Sequence, residues 1–377
     1  MIENASQLIE LLSQIESSER VAIDTEADSL HCYREKLCLL QISVPARDRA
    51  GWIERSALDA NPGAEGALTN IACDYVIDPL AGTDLAPLTS GLATKEIVVH
   101  GADFDLRLLR RTFNFRPQRI FDTVIAARLL GIKEFSLAAL VQRQFGVELS
   151  KGSQKANWAQ RPLPQRMVEY AINDTHYLLP MAGKFEDELS AAGRLDWFQQ
   201  SCQRALEQAA VDRVRDADEA WRISGAGKLR GLAAAVLREL WQWRESEAEA
   251  VDRPPFHILQ NQELIRSAER FASGNLADYR HFSARRRQAF REAAERALQL
   301  SEADWPVSLR RFGNRPSQEI VRRAEELKQR RDRITGELGL EPTFVAPRST
   351  LEAIAADPSS AGALLVLWQR QLLQLDL

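Results

Sequence analysis

Apolar and polar residues alternate with two different periods along residues 1–190. The apolar residues between positions 9 and 15 repeat as on one face of a helix, whereas residues 20–24 and 36–44 are short apolar runs, as in adjacent strands. Further strands are predicted at residues 75–78, 96–100 and 119–121. Further helices are predicted at residues 104–112, 124–130, 137–145 and 164–189. Strands followed by mixed strand–helix units predict an α/β domain around a central sheet.

A stretch of small, polar and turn-forming residues interrupts this pattern at about residues 46–72. It is long for a connection inside a compact domain, and we interpret it as a loop inserted between two strands. After about residue 195 the strand patterns end. A helical linker is predicted at residues 191–215, followed by two small all-helical domains at residues 216–300 and 301–377.

The two helical regions share a pattern that suggests an internal duplication. In the first, an apolar helix at residues 237–243 precedes Pro254; in the second, residues 320–327 precede Pro342 and Pro347. An apolar helix that carries arginine, a turn marked by proline and a short capped helix therefore occur twice in the same order.

Three motifs place acidic residues near the ends of predicted strands or on a predicted helix. The first is Asp24-Thr25-Glu26, which closes the first strand. Residues i and i+2 of a strand share one face about 6.6 Å apart, so both carboxylates can point into one pocket. Such a triplet also arises by chance in a chain of this length, and taken alone it favours a solvated strand end.

The second motif follows the predicted strand at residues 96–100. A Gly101-Ala102 turn leads into a helix that carries Asp103 and Asp105. Asp103 suits an N-cap, where a side-chain oxygen accepts a backbone N–H. Asp105 then lies in the first helical turn and is available to a ligand.

The third motif consists of Tyr170 and Asp174 in a predicted helix. Their i, i+4 spacing stacks the two side chains on one helical face, about 6 Å apart along the axis. An ordinary half-buried tyrosine beside a surface aspartate is an equal alternative for this motif alone. Of the other polar residues, His100 is interpreted as packed at a strand end, and Asp122 as an N-cap or a partner of the ligand residues.

In this order the three motifs resemble the DEDD exonuclease superfamily in its tyrosine-bearing branch. The surrounding segments narrow the resemblance to the ribonuclease D family: VAIDTEADSL, LCLLQIS, VVHGADFDLRLL, FDTVIAARLLG, LSKGSQKANWAQRPL and EYAINDTHYLLPM. Residues 229–268 resemble the helical domain shared by RecQ-type helicases and ribonuclease D, and GLEPTFVAPRSTLEAIA resembles its more divergent second copy. Two features depart from the family pattern: the longer insert, and Asn157 where an acidic or small polar residue is common.

The resemblance implies a ribonuclease H-like fold with a mixed central sheet and a metal-dependent 3′-5′ exoribonuclease that matures transfer RNA precursors. The implied metal ligands are Asp24, Glu26, Asp105 and Asp174. Two Mg²⁺ or Mn²⁺ ions are implied as cofactors, since hard oxygen ligands suit these ions and clustered carboxylates need compensating positive charge. Tyr170 would orient the attacking water as a hydrogen-bonding group rather than a strong base, and 5′-nucleoside monophosphates would be released.

Substrate contacts are predicted in two places. The polar loop before the last catalytic helix carries Lys151, Lys155, Trp158 and Arg161, where cations can pair with phosphates and the ring can stack on a base. Anchoring of the loop by Trp158 is an equal alternative. The second place is a cluster of three arginines on a predicted helix, interpreted as a contact to the RNA backbone: Arg285, Arg286 and Arg287.

The net charge of −4 is distributed unevenly along the chain. Residues 280–333 carry 14 Arg and 1 Lys against 6 Glu and 2 Asp, a net +7, so the remainder carries −11. This predicts phosphate affinity in the C-terminal half, although a solvated helix face explains the basic stretch equally well. Because every acid of the three motifs precedes residue 175, residues 1–200 alone are expected to keep the chemistry and to bind structured RNA weakly.

Several function classes are disfavoured. The chain has no apolar run of about 18 residues and no signal-peptide pattern, and its four cysteines lack CxxC spacing; we therefore expect a cytoplasmic protein without membrane spans or structural zinc. Residues 225–228 lack the full phosphate-loop spacing, so no ATP site is predicted. Two alternatives stay open: a DNA 3′-5′ exonuclease of the same branch, and a non-catalytic nucleic-acid-binding module, which the intact acid set disfavours.

Overall fold

The structure, a computed structural model, describes residues 1–48, 51–52, 72–150, 152–211, 218–307 and 316–375. Lys151 and most of the predicted insert lie outside these ranges. The described residues form two compact units. The first combines residues 1–27, 37–211 and the described part of 314–377, and the second combines residues 28–36 and the described part of 212–313.

A mixed five-stranded sheet in the order β5-β2-β1-β6-β7 forms the centre of the first unit and confirms the predicted α/β class. Its strands are β1 (Arg20–Ala27), β2 (Leu37–Pro45), β5 (Ala72–Ile77), β6 (Glu96–Val99) and β7 (Arg119–Asp122). β1 pairs antiparallel with β2 and parallel with β6. Within the insert, β3 (Arg47–Asp48) pairs with β4 (Gly51–Trp52).

β2 is buried along nearly its whole length, which explains its continuous apolar sequence. Leu40 and Ile42 contribute to the main core, whereas Leu39 belongs to a smaller cluster. β1 continues past its predicted end at residue 24, because the register with β2 is kept as far as Glu26, opposite Leu39. The acidic triplet is therefore part of the strand ladder.

In the described part of residues 1–211, eight helices accompany this sheet: α1 (Ala5–Glu16), α2 (Ala86–Leu92), α3 (Asp103–Phe113), α4 (Thr123–Leu129), α5 (Leu137–Phe145), α6 (Gln165–His176), α7 (Leu178–Ala191) and α8 (Leu195–Ala210). The prediction of one helix at residues 164–189 was wrong, since α6 ends and α7 begins around Tyr177. Pro180 lacks the N–H that a continuous helix would direct to the carbonyl of His176.

The helices after α8 divide between the two units. The second unit contains α9 (Gly231–Ala250), α10 (Pro255–Ile258), α11 (Asn261–Ala272) and α12 (Ala284–Leu298). The first unit contains α13 (Gln318–Leu338), α14 (Pro342–Val345), α15 (Arg348–Ala356), α16 (Ala361–Leu364) and α17 (Leu367–Leu372). Within the described ranges, every helix is too short or too polar to cross a lipid bilayer.

α8 belongs to the first unit and packs on its sheet, whereas the sequence predicted a linker at residues 191–215. Phe198 is buried, and its ring centroid lies 4.5 Å from that of Phe121 in β7. On another face of α8, Trp197 stacks on Trp368 of α17 at 5.0 Å. The last helices of the chain thus pack against α8 within the first unit instead of forming a separate domain.

The two helical regions repeat one unusual buried contact. Arg244 in α9 donates to the carbonyl of Leu259, just after α10, at 3.2 Å. Arg331 in α13 donates to the carbonyl of Ala346, just after α14, at 2.7 Å. Each arginine is buried, lies 15 residues before its acceptor and also pairs with the acidic residue that follows it. This shared geometry supports the predicted duplication.

Candidate active site

Asp24 and Glu26 project from the same face of β1, as their i, i+2 spacing predicts. In the antiparallel register they lie opposite Gln41 and Leu39 of β2. Leu39 belongs to the cluster formed with Ala171 of α6. α6 therefore covers the face of the sheet on which the two carboxylates lie.

α3 brings a further carboxylate to this face from its first turn. Ala102 occupies the N-cap position, so Asp103 is the first helical residue and not the predicted N-cap. Asp103 is exposed and pairs with Arg107 at 2.8 Å. Asp105 lies in the first turn, as predicted, and is only 5% exposed. The two acids of this motif thus differ in environment, and Asp105 is the one that points inward.

Asp105 is fixed to the C-terminal part of β1 by two hydrogen bonds. Its Oδ1 accepts the backbone N–H of Thr25 at 3.1 Å and the Thr25 hydroxyl at 2.5 Å. Thr25 stands between Asp24 and Glu26 in the sequence. The second motif is therefore attached to the strand at the midpoint of the first motif, a connection between residues 80 positions apart.

The turn that delivers α3 is held by Asp122. Its carboxylate accepts the backbone N–H of Gly101 at 3.1 Å and that of Ala102 at 2.8 Å, and it also caps the N-terminus of α4. Gly101 has φ of 85°, a conformation that favours glycine. His100 Nδ1 lies 2.8 Å from the Thr123 hydroxyl, which supports its interpretation as a packed strand-end residue.

α6 contributes Asp174 and Tyr170 from one helical face. Ligand oxygens of Asp24, Glu26 and Asp174 all lie within 4.8 Å of one another. β1 and α6 thus bring three of the four predicted acids together, and Asp105 of α3 lies close enough for its charge to raise the pKa of Asp24, Glu26 and Asp174. Clustered carboxylate oxygens are the donors that Mg²⁺ and Mn²⁺ prefer, so this donor set fits a divalent cation.

Burial and mutual repulsion disfavour the ionised form of these carboxyl groups. Burial, followed by the charges of Asp105, Asp174 and Glu26, raises the pKa of Asp24 well above its ordinary value. The pKa of Glu26 is raised to about 9 by burial, then by Asp174 and Asp105, and that of Asp174 to about 7 by burial, then by Asp105. Burial raises the pKa of Asp105 to about 6 against the opposing hydrogen bonds from Thr25. A divalent cation offsets this repulsion, a second reason for the fit.

The hydroxyl of Tyr170 is kept protonated by its surroundings. Burial is the largest cause that raises its pKa, followed by the charges of Asp174, Glu26 and Asp24. Its ring centroid lies 6.0 Å from that of Trp158, which packs beside it. Tyr170 is therefore suited to donate a hydrogen bond at neutral pH.

A polar network that the sequence analysis missed anchors the end of α6. The Ser43 hydroxyl of β2 lies 2.7 Å from the Thr175 hydroxyl and donates to Asp74 of β5 at 2.6 Å. His176 Nδ1 lies 2.7 Å from the other oxygen of Asp74. These contacts fix the helix next to Asp174, and their only sequence signal was the polar Thr-His pair that follows it.

The loop before α6 corrects two predicted substrate contacts. Trp158 is 1% exposed, so its ring packs in the small cluster and offers no face to a base. Arg161 binds Asp78 with bonds of 2.5 and 2.6 Å and donates to the carbonyls of Trp158 and Cys38 at 2.8 and 2.9 Å. Both residues therefore anchor the loop. Lys155 is exposed on this loop, and Lys151 lies outside the described residues.

The three predicted arginines of α12 lie in the second unit and form ion pairs there. Arg285 and Arg286 each approach the buried Glu247 at 3.1 Å, and Arg287 pairs with Asp278 at 2.6 Å. The Arg285 side chain is 72% exposed, against 21% and 32% for its neighbours. Arg285 is thus the member of the cluster that presents most of its side chain to a polyanion.

Comparisons with known proteins agree with this geometry. The sequence pattern of a 3′-5′ exonuclease family matches residues 1–190, and that of the HRDC domain matches residues 233–278. The chain is similar to ribonuclease D of Haemophilus influenzae, with 28% identity over 94% of this chain and 84% of that protein. It is also similar to ribonuclease D of Desulfotalea psychrophila, with 27% identity over 94% and 90% of the two chains.

Solved structures share the fold over nearly the whole chain. A protein from Bifidobacterium adolescentis matches with a TM-score of 0.76 and 23% identity, covering 99% of this chain and 94% of that one. The exoribonuclease RNase D of Escherichia coli, described as involved in structured RNA processing, matches with a TM-score of 0.67 and 23% identity, covering 99% and 98%. At this identity the likeness concerns the fold.

Proposed function

The chain belongs to the 3′-5′ exonuclease family and is a 3′-5′ exoribonuclease, and on that premise we propose that it trims 3′-extended transfer RNA precursors with two divalent cations. The observation that carries this proposal is the carboxylate cluster, in which oxygens of Asp24, Glu26 and Asp174 lie within 4.8 Å. Asp105 joins it through Thr25. We also propose a cytoplasmic location, which the four free cysteines support.

The residues of the site have two separate roles in phosphodiester hydrolysis, namely metal ligation and positioning of the attacking water. Asp24, Glu26, Asp105 and Asp174 would hold the cations, which when bound supply charge stabilisation for the in-line displacement. Tyr170 donates its hydroxyl proton in a hydrogen bond to the attacking water and so fixes the direction of attack. A phenol ionises only at about pH 10, so at neutral pH its role is to position the water and not to act as a strong base. The proposed products are 5′-nucleoside monophosphates and an RNA shortened by one nucleotide.

For substrate binding, we propose that the exposed Lys155 and Arg285 each contact the phosphate backbone, and that Lys151 contributes as well. Lys155 belongs to the loop that precedes α6, whereas Arg285 belongs to the second unit. All three arginines form ion pairs, but Arg286 and Arg287 are assigned smaller contributions because their side chains are only 21% and 32% exposed.

A cleavage assay on three matched substrates tests this proposal. The purified full chain is given a 3′-extended transfer RNA precursor, a single-stranded RNA and a DNA of the same sequence, each with EDTA, Mg²⁺ or Mn²⁺. We expect metal-dependent shortening of both RNAs from the 3′ end. Shortening of DNA alone would instead identify the DNA exonuclease, and no cleavage in any arm would identify a non-catalytic binding module.

Neighbouring acids of α3 provide a matched pair of variants for the same assay. Asp105→Asn should abolish cleavage, because Asp105 points into the cluster. Asp103→Asn should cut as the wild type does, because Asp103 is exposed and pairs with Arg107. The reverse pattern would show that the wrong aspartate has been assigned to the site.

A further inference from the structure

Gln41 in β2 is a fully buried amide without a hydrogen-bond partner. Its side chain is 0% exposed, and among the described residues neither its Nε2 nor its Oε1 has a partner. Buried polar atoms are nearly always hydrogen-bonded, so an amide with two unpaired atoms calls for an explanation. No packing requirement selects glutamine here, because leucine and isoleucine occupy the neighbouring buried positions of β2.

The position of Gln41 points to the acidic cluster. It pairs with Asp24 across the antiparallel ladder, so the two side chains project from the same face with their Cβ atoms about 4.5–5.5 Å apart. Along β2, the residues two positions away on this face are Leu39, which packs in the cluster with Ala171, and Ser43, which bonds Thr175. The amide is thus beside Asp24 and beneath the part of α6 that carries Asp174.

We propose that Gln41 is a positioning residue whose Nε2–H donates to the Asp24 carboxylate when that group is ionised and holds a cation. The donor would fix the orientation of the Asp24 oxygens toward Glu26 and Asp174, as hydrogen-bond donors behind ligating carboxylates do in metal sites. This inference rests on the proposed function, because it needs the cluster to bind a cation. Ser43 is unavailable for this role, since its hydroxyl is engaged with Asp74 and Thr175.

Mn²⁺ binding measured by calorimetry on the full chain, with Mn²⁺ as the sole ligand, tests the inference without relying on activity. Gln41→Met keeps the length of the side chain and removes both polar atoms. We expect its affinity for Mn²⁺ to fall about 10- to 100-fold. Its thermal stability in EDTA should equal or exceed that of the wild type, because two unpaired buried atoms are gone. In cleavage of a short RNA, kcat should fall while KM stays unchanged.

Two further variants make the result decisive. Gln41→Asn keeps the amide but withdraws it by one methylene, so the same loss of Mn²⁺ affinity is expected, and it carries the test if Gln41→Met does not fold. Ile42→Val is the control, since Ile42 is equally buried but projects from the opposite face of β2; its Mn²⁺ affinity should be unchanged.

The possible failures are distinguishable. If the wild type binds no Mn²⁺, the proposed function fails. If the wild type binds Mn²⁺ and Gln41→Met and Gln41→Asn bind it equally tightly, the proposed function stands and the role of Gln41 is overturned. A loss of affinity that appears equally in Ile42→Val would also overturn it, because the effect would then follow from packing.

Discussion

In the absence of metal, the acidic cluster should make the protein less stable as the pH rises, and Glu26→Gln should remove much of this effect. A carboxyl group whose pKa is raised by folding stabilises the fold in its protonated form. That contribution is fully present below the pKa of the unfolded chain and is lost as the pH rises through the pKa of the folded protein. The pKa of Glu26 rises from 4.5 to about 9 on folding and that of Asp174 from 3.8 to about 7, so stability is lost across these two pH ranges.

The size of the effect follows from these pH ranges. One pKa unit corresponds to about 1.4 kcal/mol. Between pH 5 and pH 8, Glu26 is ionised in the unfolded chain and protonated in the fold, which corresponds to about 4 kcal/mol over three pH units. Asp24, whose pKa is also raised, and Asp174 each add less than their own shifts suggest, because the groups share one pocket with Glu26 and their contributions are not additive. We expect the free energy of unfolding to fall by about 4–6 kcal/mol, a large part of the stability of a typical domain.

Urea unfolding followed by tryptophan fluorescence from pH 5 to pH 8, in EDTA and in Mg²⁺, measures this fall. Mg²⁺ should restore stability at pH 8 and have little effect at pH 5, where the carboxyl groups are protonated. Glu16→Gln, which removes an exposed carboxylate from α1, should behave as the wild type. A free energy of unfolding that does not change with pH in EDTA would refute the reasoning. So would a decrease in Glu26→Gln as large as in the wild type, because the acids would then not share a buried pocket.

Three further outcomes are expected. Tyr170→Phe should lower kcat by about 10²–10⁴-fold at unchanged Mn²⁺ affinity, and wild-type turnover would remove the hydroxyl from the mechanism. Arg161→Met should lower the free energy of unfolding in urea by about 3–5 kcal/mol, because the buried carboxylate of Asp78 loses its ion-pair partner. A loss of RNA affinity at unchanged stability would instead show that Arg161 contacts the substrate. Arg285→Gln should weaken RNA binding and reduce the slope of log affinity against log salt concentration by about 0.7. Arg286→Gln should mainly lower the free energy of unfolding. Equal salt slopes in the two variants would contradict the assignment.

Spacing within single elements predicted which acids share a face, whereas their grouping into one set of ligands came from the family resemblance. The i, i+2 pair in β1 and the i, i+4 pair in α6 share faces as a matter of local geometry. Local spacing does not distinguish Asp105 from Asp103, because the difference between them depends on the hydrogen bonds from Thr25, 80 residues away. That contact is a consequence of the tertiary fold, and no periodicity reports it.

The role of Arg161 was misjudged for the same reason, and of the two alternatives left open for Trp158 the structure supports anchoring of the loop. Their residue types suit nucleic-acid contacts, but Arg161 is occupied by Asp78, 83 residues earlier, and Trp158 is enclosed by the cluster beneath α6. The break at Tyr177 is different, because Pro180 in the predicted helix was a local signal that could have been used.

The apolar pattern of the C-terminal helices predicted that they pack, but not what they pack against. Trp368 is buried against Trp197, and Leu327 belongs to the same core as the sheet. Removing residues 210–377 would expose these surfaces of α8. The expectation that residues 1–200 act alone therefore loses its structural basis, and the division of labour is better tested by point substitutions in the full chain.

The central claim is that the cluster of Asp24, Glu26, Asp105 and Asp174, with Tyr170, forms a metal-dependent site for shortening RNA from its 3′ end. Single-turnover cleavage of a 5′-labelled RNA by the wild type and by Asp174→Asn tests it most directly. The account predicts that the wild type with Mg²⁺ gives a ladder that shortens one nucleotide at a time and releases 5′-nucleoside monophosphates, and that equally folded Asp174→Asn gives none. A ladder of equal rate from Asp174→Asn, or from the wild type in EDTA, would contradict it.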